Sequence, residues 1–164
     1  IPHPSDDGVA RVCYAGGVSQ RGIIQEDDWM FEHMLFLVVD DQPRARQSLK
    51  ALLATWPQAQ EIREAANGKQ AVALVEEFQP DVVLMDVRMP EMDGLEAARL
   101  IKARWPRVKI IMLSMYTEYA ADAMTVEADA FFSKGAPPEQ LLDTLTTVAA
   151  HLEKKESDNA AAGY

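Results

Sequence analysis

The most informative part of this sequence is VVLMDVRMPEMDG, which occupies residues 82–94. Its first four residues are all apolar, and a short apolar run of this kind is typical of a strand that is buried on both faces. Asp86 comes directly after the run, and the residues that follow are rich in turn formers. The stretch therefore predicts a central strand of a parallel sheet that ends in an aspartate.

The sequence on either side alternates apolar runs with segments whose apolar residues recur at helical spacing. Strands are predicted at residues 35–39, 60–65, 82–85, 108–113 and 129–133. Helices are predicted at residues 43–56, 67–78, 95–105, 116–126 and 137–155. Five strands that alternate with five helices predict an α/β fold, in which a doubly wound parallel sheet is covered by helices on both faces.

The two ends of the chain do not continue this pattern. Residues 1–34 mix Pro, Gly and Ser with few periodic apolar positions, so we expect an N-terminal extension that is disordered or not native to the fold. Residues 35–155 are predicted to form one domain. Residues 156–164 are predicted to be a C-terminal tail or the start of a linker.

The composition argues against several classes of protein. The net charge is −10, from 26 acidic and 16 basic residues, which disfavours a nucleic-acid-binding surface. No apolar run approaches the roughly 18 residues that a membrane helix needs, and the N-terminal residues do not resemble a secretory signal. The single cysteine, Cys13, cannot form an internal disulfide, and no Cys/His cluster suggests zinc. We therefore expect a cytoplasmic protein that binds neither membrane nor nucleic acid.

Reactive side chains follow four of the five predicted strands. Asp40 and Asp41 follow the first strand, Asp86 the third, Ser114 the fourth and Lys134 the fifth. In a doubly wound parallel sheet these strand ends lie at one edge, where ligands bind. Each residue alone has an ordinary structural interpretation: a helix N-cap for Asp41, a turn residue for Ser114, a surface cation for Lys134. Together they predict a functional site.

The chemistry of that site follows from its charges. Three carboxylates in one place raise one another's pKa values unless a cation lies among them. Mg²⁺ fits this requirement, and Mn²⁺ could replace it because both ions accept oxygen ligands. An aspartate can act as the nucleophile of a covalent step. Because phosphoryl transfer depends on positioning and on charge neutralisation, a metal, an ammonium and a hydroxyl around Asp86 favour that reaction.

Four segments together resemble the receiver domain of bacterial two-component response regulators, a CheY-like domain. They are LVVDD at residues 37–41, VVLMDVRMPEMDG at 82–94, IIMLS at 110–114 and FFSKG at 131–135. The sequence SKGAP at residues 133–137 is similar to receivers of the LuxR or NarL type. The resemblance extends from residue 35 to about residue 152, and it implies a flavodoxin-like three-layer sandwich with strand order 2-1-3-4-5.

The resemblance also implies roles for the residues at the strand ends. Asp86 matches the aspartate that is phosphorylated. Asp41 matches the residue that binds Mg²⁺ directly, together with Asp86 and the backbone carbonyl of Arg88. Asp40 matches a neighbouring acidic residue that reaches the metal through water.

Further residues match positions that respond to phosphorylation. Ser114 and Lys134 match residues that contact the phosphoryl group, and Phe131 matches an aromatic residue that moves on activation. Arg88 and Tyr116 lie two residues after the phosphoacceptor and after Ser114. We expect these two large side chains to prolong the phosphorylated state by hindering the attack of water.

The implied phosphodonor is a sensor histidine kinase or a phosphotransfer protein, and receivers often dimerise through the face of the fourth helix, fifth strand and fifth helix. The chain could be a single-domain regulator or a fragment of a longer protein. Two alternative functions stay open: a pseudo-receiver that binds partners without phosphorylation, and a phosphatase that forms an aspartyl phosphate. That phosphatase pattern has an acid where this chain has Arg88, so we expect phosphotransfer with slow autodephosphorylation and not substrate turnover.

Overall fold

The computed structural model describes the backbone of residues 34–161 and the side chains of residues 34–152. The strands are β1 (Met34–Val39), β2 (Ala59–Ala65), β3 (Val82–Asp86), β4 (Lys109–Ser114) and β5 (Ala130–Ser133). The helices are α1 (Pro43–Ala54), α2 (Gly68–Phe78), α3 (Gly94–Arg104), α4 (Tyr119–Thr125) and α5 (Pro138–Ala161). The extension predicted for residues 1–34 lies outside the described residues, except for Met34, which begins β1.

The five strands form one parallel sheet in the order β2-β1-β3-β4-β5. Both of its faces carry a hydrophobic core, because neighbouring residues of a strand point to opposite faces. In β3, Val83 and Met85 belong to one core, and Val82 and Leu84 belong to the other. Residues of α2, α3 and α4 close the first core, and residues of α1 and α5 close the second. The predicted fold class and strand order are confirmed.

The turn between β1 and α1 differs from the sequence prediction. The interpretation of Asp41 as the N-cap of α1 is wrong. The N-cap is Gln42, and its side chain makes no capping hydrogen bond. The Asp40 carboxylate holds the turn instead, because its Oδ1 accepts a hydrogen bond from the Gln42 amide at 2.9 Å. Pro43 lies in the first turn of the helix, as predicted. The Asp41 side chain is therefore exposed at the edge of the sheet.

The two helices that follow have side-chain caps that satisfy otherwise unpaired backbone amides. At the start of α2, the Asn67 side chain accepts a hydrogen bond from the Gln70 amide at 2.9 Å. At the start of α3, Asp93 Oδ1 accepts one from the Glu96 amide at 2.8 Å. The cap of α3 matters for the site, because it fixes the end of the loop that begins at Asp86.

The last two helices differ in length from the prediction. Helix α4 begins at Tyr119 and not at Tyr116, because the residues after Ser114 form a turn in which the Tyr116 amide bonds to the Ser114 hydroxyl. Helix α5 continues to Ala161, into the segment predicted as a tail; residues 156–161 contain neither Pro nor Gly that would end it. Although α5 has 24 residues, neither it nor any other described helix is apolar enough to cross a membrane.

Candidate functional site

Three carboxylates meet at the carboxyl ends of β1 and β3. Asp40, Asp41 and Asp86 each offer an oxygen atom, and these oxygens all lie within 4.8 Å of one another. Asp40 is fully buried and Asp86 is 8% exposed, whereas Asp41 is open to solvent. The predicted convergence of these residues is therefore present, and the cluster has one side that a ligand can reach.

In the part of the chain that the structure describes, one ammonium group contacts this cluster. Lys134, which follows β5, places its Nζ 2.6 Å from Asp40 Oδ2 and 3.0 Å from Asp86 Oδ1. Burial alone would lower the pKa of Lys134, but its hydrogen bonds and the charges of both aspartates outweigh that effect and raise it. Burial raises the pKa of Asp86, and the charges of Asp40 and Asp41 act in the same direction, while Lys134 only partly compensates. Three carboxylates against one ammonium leave an excess of two negative charges when all four groups are ionised.

The loop after Asp86 folds back onto the strand that it leaves. The Gly94 amide donates a hydrogen bond to the Val87 carbonyl at 2.8 Å, and the Val87 amide donates one to the Leu113 carbonyl at 3.0 Å. A Cβ atom at Gly94 would overlap the backbone carbonyl oxygen of Asp86. Position 94 therefore has to be glycine for this close approach, and the approach fixes the backbone that carries Asp86.

Ser114 lies at the same edge of the sheet and is almost fully buried. Its hydroxyl oxygen accepts a hydrogen bond from the Tyr116 amide at 3.0 Å, and its backbone carbonyl accepts one from the Lys134 amide at 2.9 Å. The carbonyl bond ties the end of β4 to the residue that carries the ammonium group. A displacement of the β4–α4 loop would therefore also move the backbone of Lys134.

The family of the chain follows from its sequence together with this fold. Residues 36–146 match the model of the response regulator receiver domain, and this match covers more than half of the chain. The chain belongs to the response regulator receiver family. The resemblance stated from the four sequence segments is confirmed, and the receiver is a signalling domain of two-component systems.

Relatives of this receiver include proteins with different outputs. It is 31% identical over 133 residues to the transcriptional regulatory protein DegU of Brevibacillus brevis, a match that covers 78% of this chain and 56% of DegU. A LuxR-family response regulator from Aurantimonas sp. SI85-9A1 has a similar structure, with a TM-score of 0.70 and 27% identity over 73% of this chain and 87% of that one. The structure of chemotaxis protein CheY4 of Vibrio cholerae is also similar, with a TM-score of 0.65 and 31% sequence identity. This match covers 71% of this chain and 98% of CheY4. The chain thus spans about half the length of DegU.

Arg88 and Tyr116, which the sequence singles out as two large side chains near the site, contact each other in this receiver. The guanidinium carbon of Arg88 lies 5.7 Å from the centre of the Tyr116 ring, in the range of a cation–π interaction. The ring of Tyr119 packs edge-on against Tyr116, with 6.4 Å between the ring centres. Tyr116 is nonetheless 49% exposed. Arg88 and Tyr116 thus join the loops that follow β3 and β4.

Phe131, the remaining residue singled out from the sequence, pairs with Met112 in the β4–β5 register and is only partly buried against the first core. Arg46 was not predicted to belong to the site. One of its terminal nitrogens donates a hydrogen bond to the backbone carbonyl of Asp40 at 2.7 Å. No sequence pattern indicates this contact, because it depends on how α1 is rotated over the end of β1.

Proposed function

We propose that Asp86 accepts a phosphoryl group from a sensor histidine kinase or a phosphotransfer protein, and that Mg²⁺ held beside it supports the transfer. One observation carries this proposal: the Asp86 carboxylate lies within reach of one ammonium group and two further carboxylates. A nucleophilic carboxylate needs cationic groups that stabilise the charge of the phosphoryl oxygens, and it needs them in fixed positions.

The donor set of the cluster suits a hard divalent cation. All three side chains offer carboxylate oxygens, which Mg²⁺ prefers and Mn²⁺ also accepts, and their excess negative charge favours a dication. Asp41, Asp86 and the backbone carbonyl of Arg88 would hold the ion directly. Asp40 would act through water, because Lys134 and the Gln42 amide already bond to its two oxygens. When bound, the ion neutralises the charge of the transferred phosphoryl group.

The residues of the chain then have distinct tasks. An Asp86 oxygen attacks the phosphorus of a phosphohistidine; the new O–P bond forms as the P–N bond breaks, and its electron pair returns to the imidazole. Lys134 stays protonated, because its raised pKa keeps it charged at neutral pH, and it binds an oxygen of the new acyl phosphate. The Ser114 hydroxyl, which uses its oxygen as an acceptor for the Tyr116 amide, still has a proton to donate.

We propose that the signal leaves the site through the β4–α4 loop. If Ser114 turns toward the phosphoryl group, its bond to the Tyr116 amide is lost and the loop is free to move. Phe131 can then take a more buried position, and the face of α4, β5 and α5 changes shape. Such a switch is a two-state element that the phosphoryl group biases through differential contacts. That face is the surface we propose for a homodimer or for contact with an output partner.

Arg88 and Tyr116 are proposed to set how long the phosphoryl group stays. Their side chains join the loops that follow β3 and β4, next to Asp86, so they would restrict the path of an attacking water. We propose no nucleic-acid contact by this chain itself, because its net charge of −10 opposes binding to a polyanion.

The proposal is tested by incubating the chain with Mg²⁺ and acetyl phosphate and measuring its intact mass. We expect one phosphate adduct, which is absent when Mg²⁺ is removed and absent from Asp86→Asn. A pseudo-receiver would give no adduct with acetyl phosphate or with any phosphorylated kinase. A phosphatase would release phosphate in many turnovers without an accumulating adduct, and Arg88 stands where such an enzyme would need an acid.

A further inference from the structure

We infer that Arg46, on α1, is a positioning residue for the metal-binding turn formed by Asp40 and Asp41. The inference rests on the proposed function, since it assigns a purpose to a residue that supports the same site. Arg46 touches neither the phosphoacceptor nor Lys134 in the contacts of the described chain, so any effect on the metal has to pass through the backbone.

The backbone bond is placed where Asp41 needs it. A terminal nitrogen of Arg46 donates to the Asp40 carbonyl at 2.7 Å, and this carbonyl belongs to the peptide that joins Asp40 to Asp41. The Asp40 side chain is fixed by Lys134 and by the Gln42 amide. The Asp41 carboxylate has no hydrogen bond to any residue in the described part of the chain. Its direction is therefore set through the peptide that Arg46 holds.

Arg46 is itself held in place. Its Nε bonds to Glu64 Oε1 at 3.3 Å, and Lys50 bonds to the other oxygen of Glu64 at 2.9 Å. Glu64 lies in β2 opposite Val38 of β1, so the sheet fixes its position. The hydrogen bond from Lys50 is the largest of the causes that lower the pKa of Glu64, and the carboxylate stays ionised at neutral pH. The Arg46 side chain is only 17% exposed, so most of its surface is packed against its neighbours.

Two effects of Arg46 on a bound cation have opposite signs, and this makes the inference testable. A positive guanidinium near the site repels Mg²⁺, so its removal should strengthen metal binding if charge were its only effect. If Arg46 positions the turn, its removal should weaken metal binding. Arg44 offers a matched control, because it is an exposed arginine on the same helix, two residues away.

The experiment compares Arg46→Met with Arg44→Met in the full 164-residue chain. The dissociation constant for Mg²⁺ alone is measured from amide chemical shifts in an NMR titration. We expect Arg46→Met to bind Mg²⁺ about tenfold more weakly, the size typical for loss of a residue that orients a metal ligand. Arg44→Met should bind Mg²⁺ as the wild type does or slightly more tightly. Equal affinities for the two variants would overturn the inference.

A second readout separates positioning from general damage. In phosphorylation by acetyl phosphate, Arg46→Met should need about tenfold more Mg²⁺ for its half-maximal rate, yet reach the wild-type rate at saturating Mg²⁺. A lower plateau at an unchanged half-maximal concentration would mean that Arg46 has only a structural role. Failure of the wild type to bind Mg²⁺ or to form an adduct would instead contradict the proposed function.

Two milder variants cover the case in which Arg46→Met does not fold. Arg46→Lys keeps the charge but cannot bond to the Asp40 carbonyl and to Glu64 in the geometry of a guanidinium, so it should bind Mg²⁺ more weakly than the wild type does. Glu64→Gln keeps Arg46 but removes the charge that orients it, so it should also bind Mg²⁺ more weakly than the wild type does. Wild-type affinity in both variants would overturn the inference.

Discussion

At the carboxyl ends of the strands, three carboxylates of the described residues lie together and two of them contact the ammonium group of Lys134, whereas at the opposite end of the sheet the Asp129 carboxylate contacts two ammonium groups. There Asp129 Oδ2 accepts hydrogen bonds from Lys102 Nζ at 2.5 Å and from the Ile110 amide at 2.9 Å, and its Oδ1 lies 3.3 Å from Lys109 Nζ. Lys102 also donates to the Val108 carbonyl at 2.7 Å. These charges and their bonds tie α3 to the beginnings of β4 and β5.

The difference between the two ends separates a structural cluster from a reactive one. Lys102 and Lys109 have side chains only 8% and 9% exposed, and both meet Asp129 within the chain. At the carboxyl ends, by contrast, Asp41 is exposed and bonds to no described side chain, and the negative charge exceeds the positive. Each charged side chain of the Asp129 cluster has a partner, so breaking that cluster leaves a nearly buried charge uncompensated, whereas Asp41 has no partner among the described residues and is available to a ligand.

The largest expected effect on stability is at the end of the sheet that holds Asp129. Asp129→Asn removes the carboxylate that two nearly buried lysines contact, and the free energy of unfolding should fall by about 3 kcal/mol. Denaturation in urea measures it. The double variant Asp129→Asn with Lys109→Met should recover part of this loss. Adduct formation at Asp86 should continue at temperatures where the variant is folded. A loss below about 1 kcal/mol would contradict the distinction between the two ends.

At the carboxyl ends, removal of a charge should have the opposite sign. Because the pKa of Asp86 is raised from 3.8, mainly by burial, the folded protein keeps this proton to higher pH than the unfolded chain does. The stability that this provides is present at low pH and is lost as the pH rises above 3.8. Asp86→Asn should therefore be more stable than the wild type at neutral pH without Mg²⁺, by less than the effect at Asp129.

Thermal unfolding at several pH values checks this second prediction. The difference between Asp86→Asn and the wild type should shrink toward acidic pH, where Asp86 is protonated. Saturating Mg²⁺ should raise the midpoint of the wild type more than that of the variant, because a ligand stabilises the state that binds it. If Asp86→Asn is less stable than the wild type at neutral pH without Mg²⁺, the ion pair with Lys134 outweighs burial.

The smallest expected effect is on the lifetime of the phosphorylated form, and it concerns the contact between Arg88 and Tyr116. Tyr116→Ala removes the ring that Arg88 contacts, and an exposed cation–π contact is worth about 0.5–1 kcal/mol, so the phosphorylated form should decay about two- to fivefold faster. Decay of the adduct after removal of acetyl phosphate measures this. Met115→Ala, an exposed neighbour, serves as the control. Arg88→Ala combined with Tyr116→Ala should decay no faster than the product of the single effects. An unchanged lifetime would remove these residues from the proposal.

The sequence predicts well what depends on residues that are close along the chain. The apolar run before Asp86 indicates a buried central strand, and the alternation of runs and helical segments indicates the sheet. From the sheet, the convergence of Asp40, Asp41, Asp86 and Lys134 follows without further information, because parallel strands end at a common edge. The roles of these residues in phosphotransfer stay predictions.

Contacts between distant segments were missed, and for one physical reason. The bond of Arg46 to the turn, the pair of Arg88 with Tyr116 and the sharing of Asp129 by two lysines all depend on side-chain directions between separate elements. The wrong N-cap at Asp41 has the same origin on a smaller scale. The Asp40 carboxylate accepts a hydrogen bond from the Gln42 amide, and a sequence pattern does not indicate which of two adjacent aspartates turns inward.

The contact between Gly94 and the Asp86 carbonyl has a consequence for protein engineering. The two residues are eight positions apart, yet no side chain can be added at the second without moving the first. The segment from Asp86 to Gly94 is thus a single transplantable unit. A chimaera that joins β3 of this receiver to the following loop of another should be cut before Asp86 or after Gly94, and never between them.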